Sequence, residues 1–204
     1  MKKPKQSLIH FVGIGGIGIS ALARWFAAHS YKISGSDIAP SSTIRELKDE
    51  GIRIKIGKHK AENLNPKTAR VIYNQAIAPE NPELQKARDL KIPASSYPEV
   101  IGELTKLYKT IAIAGAHGKS TTTSMVALIL EKAKFDPTVI VGTKLKEFGN
   151  KNFRNGGGDY LALEADEWKS SFLNYFPYAA LVTNIDREHL DHYKSIATVK
   201  QACI

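Results

Sequence analysis

Residues 110–123 read TIAIAGAHGKSTTT, a short apolar run followed by a glycine-rich turn and a Ser/Thr-rich stretch. The pattern predicts a strand over residues 110–114, a loop, and a helix that begins near Ser120. A strand that enters a helix through such a turn leaves backbone N–H groups without partners, and the positive end of the helix dipole acts at the same place. A phosphate chain satisfies both.

This loop matches the pattern G-x-x-x-x-G-K-[ST] in part. Ile113 stands where the first glycine is expected, but residues 118–120 read GKS. Lys119 can add a mobile positive charge, and Ser120 or Thr121 can offer a hydroxyl to Mg²⁺. The alternative is a Ser/Thr-capped helix that follows a chance Gly-Lys pair. The strand before the loop and the helix after it favour a nucleoside triphosphate site.

A second glycine pattern lies near the N-terminus, where residues 13–18 read GIGGIG between a predicted strand at 7–12 and a predicted helix at 17–29. Gly13, Gly15 and Gly18 satisfy G-x-G-x-x-G, and a second strand over 32–35 leads to Asp37. This is the dinucleotide-binding pattern, in which glycines approach a pyrophosphate and the acidic residue contacts a ribose hydroxyl. NAD and FAD fit it, and a UDP-sugar carries the same groups.

Strand and helix patterns alternate along the rest of the chain. Strands are expected at 52–56, 70–73, 139–141, 160–165 and 179–183, helices at 43–50, 81–90, 98–107 and 120–134, and a polar loop at 149–158. Such alternation predicts an α/β fold with mostly parallel sheets. We expect a Rossmann-like parallel-sheet domain over 1–107 and an incomplete P-loop-type α/β ATP-binding domain over 108–204.

Polar groups follow three strands of the second predicted domain, at 115–120, 164–167 and 184–189. Ligands of open α/β sheets gather at the carboxyl ends of strands, and a divalent cation needs oxygen ligands there. Glu164 and His189 are the candidates, and ordinary surface polarity is the alternative. A zinc site at His189, Asp191 and His192 is less favoured, because no cysteine or further histidine completes the set. His117 can contact a phosphate or only fill the loop.

Composition limits the classes of binding partner and the cellular compartment that we expect for this chain. The 204 residues carry a net charge of +9, but the lysines are scattered, so we expect no nucleic-acid partner. A single cysteine, Cys203, excludes an internal disulfide framework and fits a cytoplasmic protein. The basic, then apolar N-terminus imitates a secretory signal, but its glycines break the apolar run into a strand and a helix. We therefore expect no membrane insertion.

Both glycine motifs, in this order, resemble the Mur ligase family. The resemblance is carried by residues 9–18 (IHFVGIGGIG), 35–37 (GSD), 81–84 (NPEL), 114–123 (AGAHGKSTTT), 164–167 (EADE), 171–173 (SFL), 182–185 (VTNI) and 189–191 (HLD). It implies an ATP-dependent ligase of peptidoglycan biosynthesis that joins L-alanine to the carboxylate of UDP-N-acetylmuramate through an acyl phosphate, with Mg²⁺. The alternatives are the murein tripeptide recycling ligase of the same family and an NAD-dependent oxidoreductase.

The resemblance also implies residue roles. The residues expected to bind the UDP-sugar are Gly13, Gly15, Gly16, Gly18 and Asp37. The residues expected to bind ATP are Gly115, Ala116, His117, Gly118, Lys119, Ser120, Thr121 and Asn184. Mg²⁺ ligands would be Ser120, Glu164 and His189, and the expected catalytic residues are Lys119, Glu164 and His189.

The chain departs from the family pattern at several positions and in length. Ser120 replaces a threonine and keeps the hydroxyl, whereas Asn74 and Gln75 replace a serine pair thought to face the UDP-sugar. The family has a third, C-terminal domain, which we expect to be absent here. A chain without it should bind the UDP-sugar weakly and should not turn over.

Overall fold

The computed structural model describes residues 7–165 and 168–186. The chain divides into two compact units between Val100 and Ile101. The domain limits expected from the sequence, at residues 107 and 108, stay a prediction.

The first unit contains a five-stranded sheet in the order β3-β2-β1-β4-β5. Its strands are β1 (Leu8–Val12), β2 (Lys32–Asp37), β3 (Arg53–Ile56), β4 (Thr68–Tyr73) and β5 (Ala94–Ser96). Its helices are α1 (Ile17–Ala28), α2 (Ser42–Asp49) and α3 (Pro82–Asp89), with a short 3-10 helix at Ala61–Asn63, and α4 (Tyr97–Thr105) spans the division between the units. All neighbouring strands run parallel, as the alternation predicted.

Apolar side chains on both faces of this sheet form the core of the first unit. Phe11, Leu22 and Phe26 are fully buried where α1 covers the sheet, and Ile44 and Leu47 are buried on α2. A second cluster, packed around α3, contains Val12, Leu64, Val71, Leu84, Ala87 and Ile92. The near-continuous apolar sequence of β1 reflects burial on both faces, which is typical of parallel sheets.

The second unit contains another five-stranded sheet, in the order β10-β6-β9-β7-β8. Its strands are β6 (Lys109–Ala114), β7 (Thr138–Leu145), β8 (Lys151–Arg154), β9 (Tyr160–Glu164) and β10 (Ala179–Val182), and its long helix is α5 (Lys119–Lys132). Short 3-10 helices occupy Lys146–Phe148 and Trp168–Asn174. Only β8 pairs antiparallel among these described strands.

The order of this sheet decides where its functional groups meet. β6 lies between β10 and β9 and is parallel to both, with Ala112 opposite Ala180 on one side and Leu163 on the other. The carboxyl ends of the three strands therefore lie side by side. The loop after β6, Glu164 at the end of β9 and the residues after β10 come together at this edge.

One sequence-based expectation was wrong. The polar segment 149–158 is not only a loop, because it contains β8, which forms a hairpin with β7. Its sequence KNFR has no apolar alternation, yet Asn152 and Phe153 are both buried. Pairing to β7 supplies the hydrogen bonds that the local sequence does not signal. No helix in the described part of the chain is long and apolar enough to cross a membrane.

Candidate functional site

The loop between β6 and α5 is shaped by two glycines. Gly115 and Gly118 have φ of +123° and +80°, values at which a side chain is strained. A Cβ at Gly115 would also overlap the hydroxyl of Thr183. The loop can therefore pass close under the residues that follow β10, and Gly118 places the first turn of α5 directly after it.

Lys119 lies inside this loop. Its Nζ donates to the carbonyl oxygens of Gly115, at 2.7 Å, and Ala116, at 3.0 Å. The ammonium group is thus held at the centre of the glycine turn. A triphosphate bound there would meet a positive charge beside the N-terminus of α5, where the helix dipole adds to the attraction.

Ser120 and Glu164 meet at the start of α5. The Ser120 hydroxyl donates to Glu164 Oε1 at 3.0 Å, and the backbone N–H of Gly142 donates to Glu164 Oε2 at 2.7 Å. Two neighbouring oxygen ligands of an octahedral Mg²⁺ lie about 3 Å apart, since each is about 2.1 Å from the ion. The two side chains therefore fit a Mg²⁺ that replaces the hydrogen bond between them.

Asn184, two residues after the end of β10, contacts the loop with its side chain and its backbone. Its Oδ1 accepts from the backbone N–H of His117 at 3.0 Å, and its Nδ2 donates to the His117 carbonyl at 2.9 Å. The backbone N–H of Ala116 donates to the Asn184 carbonyl at 3.2 Å, and the Thr183 hydroxyl donates to the His117 carbonyl at 2.6 Å. These contacts fix the path of the loop from outside.

The remaining predicted residues of this site are more open. The His117 ring lies 3.5 Å from Asp186, and both side chains are about three-fifths exposed, at 62% and 61%. Thr121 is exposed on the first turn of α5. His189, and with it the zinc alternative at Asp191 and His192, lies outside the described residues. Elsewhere in 7–165 and 168–186, no group of three or more His, Cys, Asp or Glu side chains could hold a metal.

The glycine loop of the first unit lies between β1 and α1. Gly13 has a φ of +73°, and its N–H and that of Ile14 both donate to the carbonyl oxygen of Ser36, at 2.9 and 3.1 Å. Because Ser36 lies on β2 opposite Val12 of β1, this contact ties the loop to the neighbouring strand. The loop therefore begins with its first two amides already bonded.

Asp37 reaches into the same loop. Its Oδ2 accepts from the backbone N–H of Gly15 at 2.7 Å. A Cβ at Gly15 would come within 2.8 Å of that oxygen. The sequence pattern assigns Asp37 to a ribose hydroxyl, which stays a prediction, and the structure shows its carboxylate bonded to the loop backbone.

Two further residues border the loop. A Cβ at Gly16 would lie 2.6 Å from Asn74 Nδ2, and a Cβ at Gly18 would lie 2.7 Å from the Tyr97 hydroxyl. Asn74 was noted in the sequence only as a departure from a serine pair. Tyr97 was missed, although it directly follows β5 and so stands at the carboxyl end of a parallel strand.

Each unit thus has an α/β fold with a parallel or mostly parallel sheet, and a glycine loop that leads from a strand into a helix, which is the architecture of nucleotide-binding α/β proteins. Comparison with known families gives the particular class. Residues 8–109 match the model described as Mur ligase family, catalytic domain, and residues 113–204 match the Mur ligase middle domain. The chain belongs to the Mur ligase family.

Curated relatives cover nearly all of this chain. It is 50% identical over 196 residues to the UDP-N-acetylmuramate–L-alanine ligase of Sorangium cellulosum, a match that covers 96% of the chain and 41% of the relative. It is 45% identical over 202 residues to the enzyme of the same name from Aquifex aeolicus, with 99% and 44% covered. The chain spans less than half the length of these relatives.

Solved structures share the fold. The crystal structure of UDP-N-acetylmuramate–alanine ligase from Thermotoga maritima superposes with a TM-score of 0.87 at 32% identity, and covers 95% of this chain and 45% of that one. A murein peptide ligase from Psychrobacter arcticus superposes with a TM-score of 0.79 at 27% identity, with 91% and 44% covered.

Proposed function

We propose that this chain carries the UDP-sugar-binding and ATP-binding parts of an ATP-dependent ligase that joins L-alanine to the carboxylate of UDP-N-acetylmuramate. The first unit takes the UDP-sugar through the loop that contains Gly13, Gly15, Gly16 and Gly18, with Asp37 beside it. The second unit takes ATP and Mg²⁺ through the loop at 115–121. The reaction belongs to peptidoglycan biosynthesis.

The observation that carries the proposal is the meeting of Ser120, Glu164 and Lys119 at the start of α5. A hydroxyl and a carboxylate lie 3.0 Å apart there, and the lysine ammonium is held in the adjoining turn. A metal site and a phosphate site side by side are what a nucleoside triphosphate with Mg²⁺ requires. The capped-helix alternative explains neither the hydrogen bond between Ser120 and Glu164 nor the contacts of Lys119 with the loop carbonyls.

The proposed reaction begins with attack of the substrate carboxylate on the γ-phosphate of ATP, which forms an acyl phosphate and releases ADP. The neutral amine of L-alanine then attacks the acyl carbon, the bond from that carbon to the phosphate oxygen breaks, and phosphate leaves while the nitrogen releases a proton. Carboxylate and triphosphate are both anions, so positive charge must offset their repulsion. Lys119 supplies part of it, and Mg²⁺ held by Ser120 and Glu164 would neutralise phosphate oxygens.

The relatives favour L-alanine over a murein peptide as the second substrate. Curated relatives at 45–50% identity are named as L-alanine ligases, whereas the solved murein peptide ligase from Psychrobacter arcticus is 27% identical. The nicotinamide alternative explains the first glycine loop alone and leaves the GKS loop without a role.

Calorimetric titration of the chain tests the proposal. ATP with Mg²⁺ and UDP-N-acetylmuramate should each bind at one site, and NAD should give no heat of binding. Lys119→Ala should weaken ATP binding by about tenfold to a hundredfold, since a charge-assisted contact contributes about 1.5–3 kcal/mol. It should leave UDP-N-acetylmuramate binding unchanged.

Lys132→Ala is the matched control, because Lys132 is an exposed lysine in the last turn of the same helix. It should bind ATP like the wild type. Unchanged ATP affinity in Lys119→Ala would exclude the proposed role of the second loop. NAD binding in place of UDP-N-acetylmuramate would return the first unit to the oxidoreductase alternative.

A further inference from the structure

A buried polar cluster lies beneath the glycine loop of the first unit. At its centre is Glu83, in the first turn of α3, whose side chain is 0% exposed. His10 on β1 and Ser36 on β2 are buried beside it, and His59 and Asn63 reach it from the segment that follows β3. The proposed ligand contacts use none of these side chains.

Four donors converge on the Glu83 carboxylate. Oε2 accepts from His10 Nε2 at 2.7 Å and from the Ser36 hydroxyl at 2.9 Å. Oε1 accepts from His59 Nδ1 at 2.6 Å and from Asn63 Nδ2 at 3.1 Å. Both carboxylate oxygens are therefore satisfied without water.

These bonds decide the charge and the tautomers in the cluster. Burial by itself would raise the pKa of Glu83, but the hydrogen bonds from His10, Asn63 and His59 outweigh it and lower the pKa to about 2. An ionised carboxylate only accepts, so His10 carries hydrogen on Nε2 and His59 carries it on Nδ1. The other ring nitrogen of His10 lies 2.9 Å from the Ser34 hydroxyl.

Ser36 joins this cluster to the glycine loop. Its hydroxyl donates to Glu83, while its carbonyl accepts the N–H groups of Gly13 and Ile14. The next residue, Asp37, accepts the N–H of Gly15. Ser36 and Asp37 therefore accept hydrogen bonds from three successive loop amides, while the Ser36 hydroxyl is bonded to Glu83.

We propose that Glu83 is a positioning residue for the glycine loop, which it orients through Ser36. The proposal rests on the proposed function of that loop in binding the UDP-sugar. Burial of a carboxylate destabilises the folded state relative to an apolar side chain of similar size, because the charge loses its hydration. Its hydrogen bonds are directional, however, and so can fix the orientation of the groups that donate to it. In this site the hydrogen bonds of Glu83 orient Ser36, and the Ser36 carbonyl in turn fixes the first residues of the glycine loop that a pyrophosphate would face.

Two substitutions test the link at different points. Glu83→Gln keeps the shape but turns an NH₂ group toward one pair of donors, so one histidine must change its tautomer. Ser36→Ala keeps the carbonyl that accepts the loop amides and removes only the hydroxyl that connects it to Glu83. If one variant fails to fold, the other still tests the proposal.

The first measurement is made on ligand-free protein by NMR. In both variants the amides of Gly13, Ile14 and Gly15 should exchange with solvent at least about tenfold faster, while amides of β4 stay as in the wild type. Glu83→Gln should also shift the ring nitrogen resonances of His10 or His59 from one tautomer to the other. A residue that only stabilises the fold would not speed exchange in the loop relative to β4, so this comparison of exchange rates decides the positioning role.

The second measurement is calorimetry with UDP-N-acetylmuramate and with ATP. Both variants should bind the UDP-sugar about tenfold more weakly and ATP unchanged. Glu50→Gln is the matched control, because Glu50 is a carboxylate of the same unit bonded to the buried Arg24. It should keep both the loop exchange rates and the affinities.

The two proposals fail in different ways. If the wild type does not bind UDP-N-acetylmuramate, the proposed function of the first unit is wrong, and the exchange rates still decide the role of Glu83. If folded Glu83→Gln and Ser36→Ala keep wild-type exchange at Gly13, Ile14 and Gly15, the positioning role is wrong, whatever the affinity for the sugar.

Discussion

The side-chain amide of Asn184 forms two hydrogen bonds with the backbone of His117, one to its N–H at 3.0 Å and one to its carbonyl at 2.9 Å. The side-chain amide thereby pairs with the His117 backbone in the way that a backbone peptide group pairs in a sheet. It extends the hydrogen bonding between β10 and β6 into the loop. This contact places Asn184 as a residue that shapes the ATP loop. Its expected role beside the nucleotide stays a prediction.

Asn184→Ala should weaken ATP binding about tenfold, because the loop loses two hydrogen bonds of about 0.5–1.5 kcal/mol each. Calorimetry with ATP and Mg²⁺ measures the change. Asn65→Ala removes an asparagine that bonds only a nearby turn, at the N–H of Lys67, and should leave ATP affinity as in the wild type. Equal affinities in Asn184→Ala and the wild type would contradict this role.

The two glycines of the ATP loop should tolerate alanine very differently. At Gly118 a Cβ meets nothing within 4 Å, so Gly118→Ala costs only the left-handed backbone, about 1 kcal/mol. At Gly115 a Cβ would overlap the Thr183 hydroxyl and approach the Asn184 backbone to within 2.8 Å, in addition to the strain of a φ of +123°.

Gly115→Ala should therefore lower the free energy of unfolding by about 3 kcal/mol or more, against about 1 kcal/mol for Gly118→Ala. Urea unfolding measures both. Gly51→Ala is the control for strain alone, since Gly51 has a φ of +88° with open space around it and lies outside the loop. If Gly115→Ala and Gly118→Ala lowered the free energy of unfolding equally, the close approach of Gly115 to Thr183 would be contradicted.

Glu164 should decide the metal requirement of ATP binding. Glu164→Gln keeps the size and the hydrogen-bonding reach but loses the charge that a hard cation prefers. We expect the gain in ATP affinity that Mg²⁺ gives the wild type to fall at least about tenfold, a loss of about 1.4 kcal/mol. Titrations with ATP in the presence of Mg²⁺ and of a chelator separate this gain from metal-free binding.

Glu147→Gln removes an exposed carboxylate from the same unit and should leave the Mg²⁺ dependence intact. If Glu164→Gln retained the full gain from Mg²⁺, Glu164 would be only a partner of Ser120 and Gly142. The hydrogen bonds it makes to them would then be its whole role.

Much of this architecture was predictable because both loops carry strong local signals. Gly13–Gly18 and the GKS loop each follow an apolar strand and open a helix, so spacing alone fixes the sheet edge on which they lie. Ser120 and Glu164 could be paired in advance, because β6 and β9 were both expected to be parallel strands. The structure places them 3.0 Å apart.

The sequence did not reveal the contacts that join distant segments through polar side chains. His10 lies in an apolar strand pattern and Glu83 in a helix start, and nothing local relates two residues so far apart in the chain. Tyr97 packs against Gly18 only because β5 ends beside the loop. β8 was missed for the same reason, since its partner strand supplies its stability and its own sequence does not.

The Glu83 cluster should make the first unit sensitive to acid. Because folding lowers the pKa of Glu83 from 4.5 to about 2, the unfolded chain takes up this proton first as the pH falls. The contribution of the carboxylate is thus fully present above pH 4.5 and is lost between 4.5 and about 2. The shift corresponds to about 3 kcal/mol. His10 and His59 are the titratable groups that face the carboxylate.

Glutamine does not titrate in this range, so the deficit in unfolding free energy of Glu83→Gln relative to the wild type should shrink by up to about 3 kcal/mol between about pH 5 and pH 2. Urea unfolding at several pH values in this range, followed by tryptophan fluorescence, measures it. Glu147→Gln should differ little from the wild type throughout. A deficit of Glu83→Gln that stays constant across the range would mean that the buried carboxylate does not hold its charge in the folded chain.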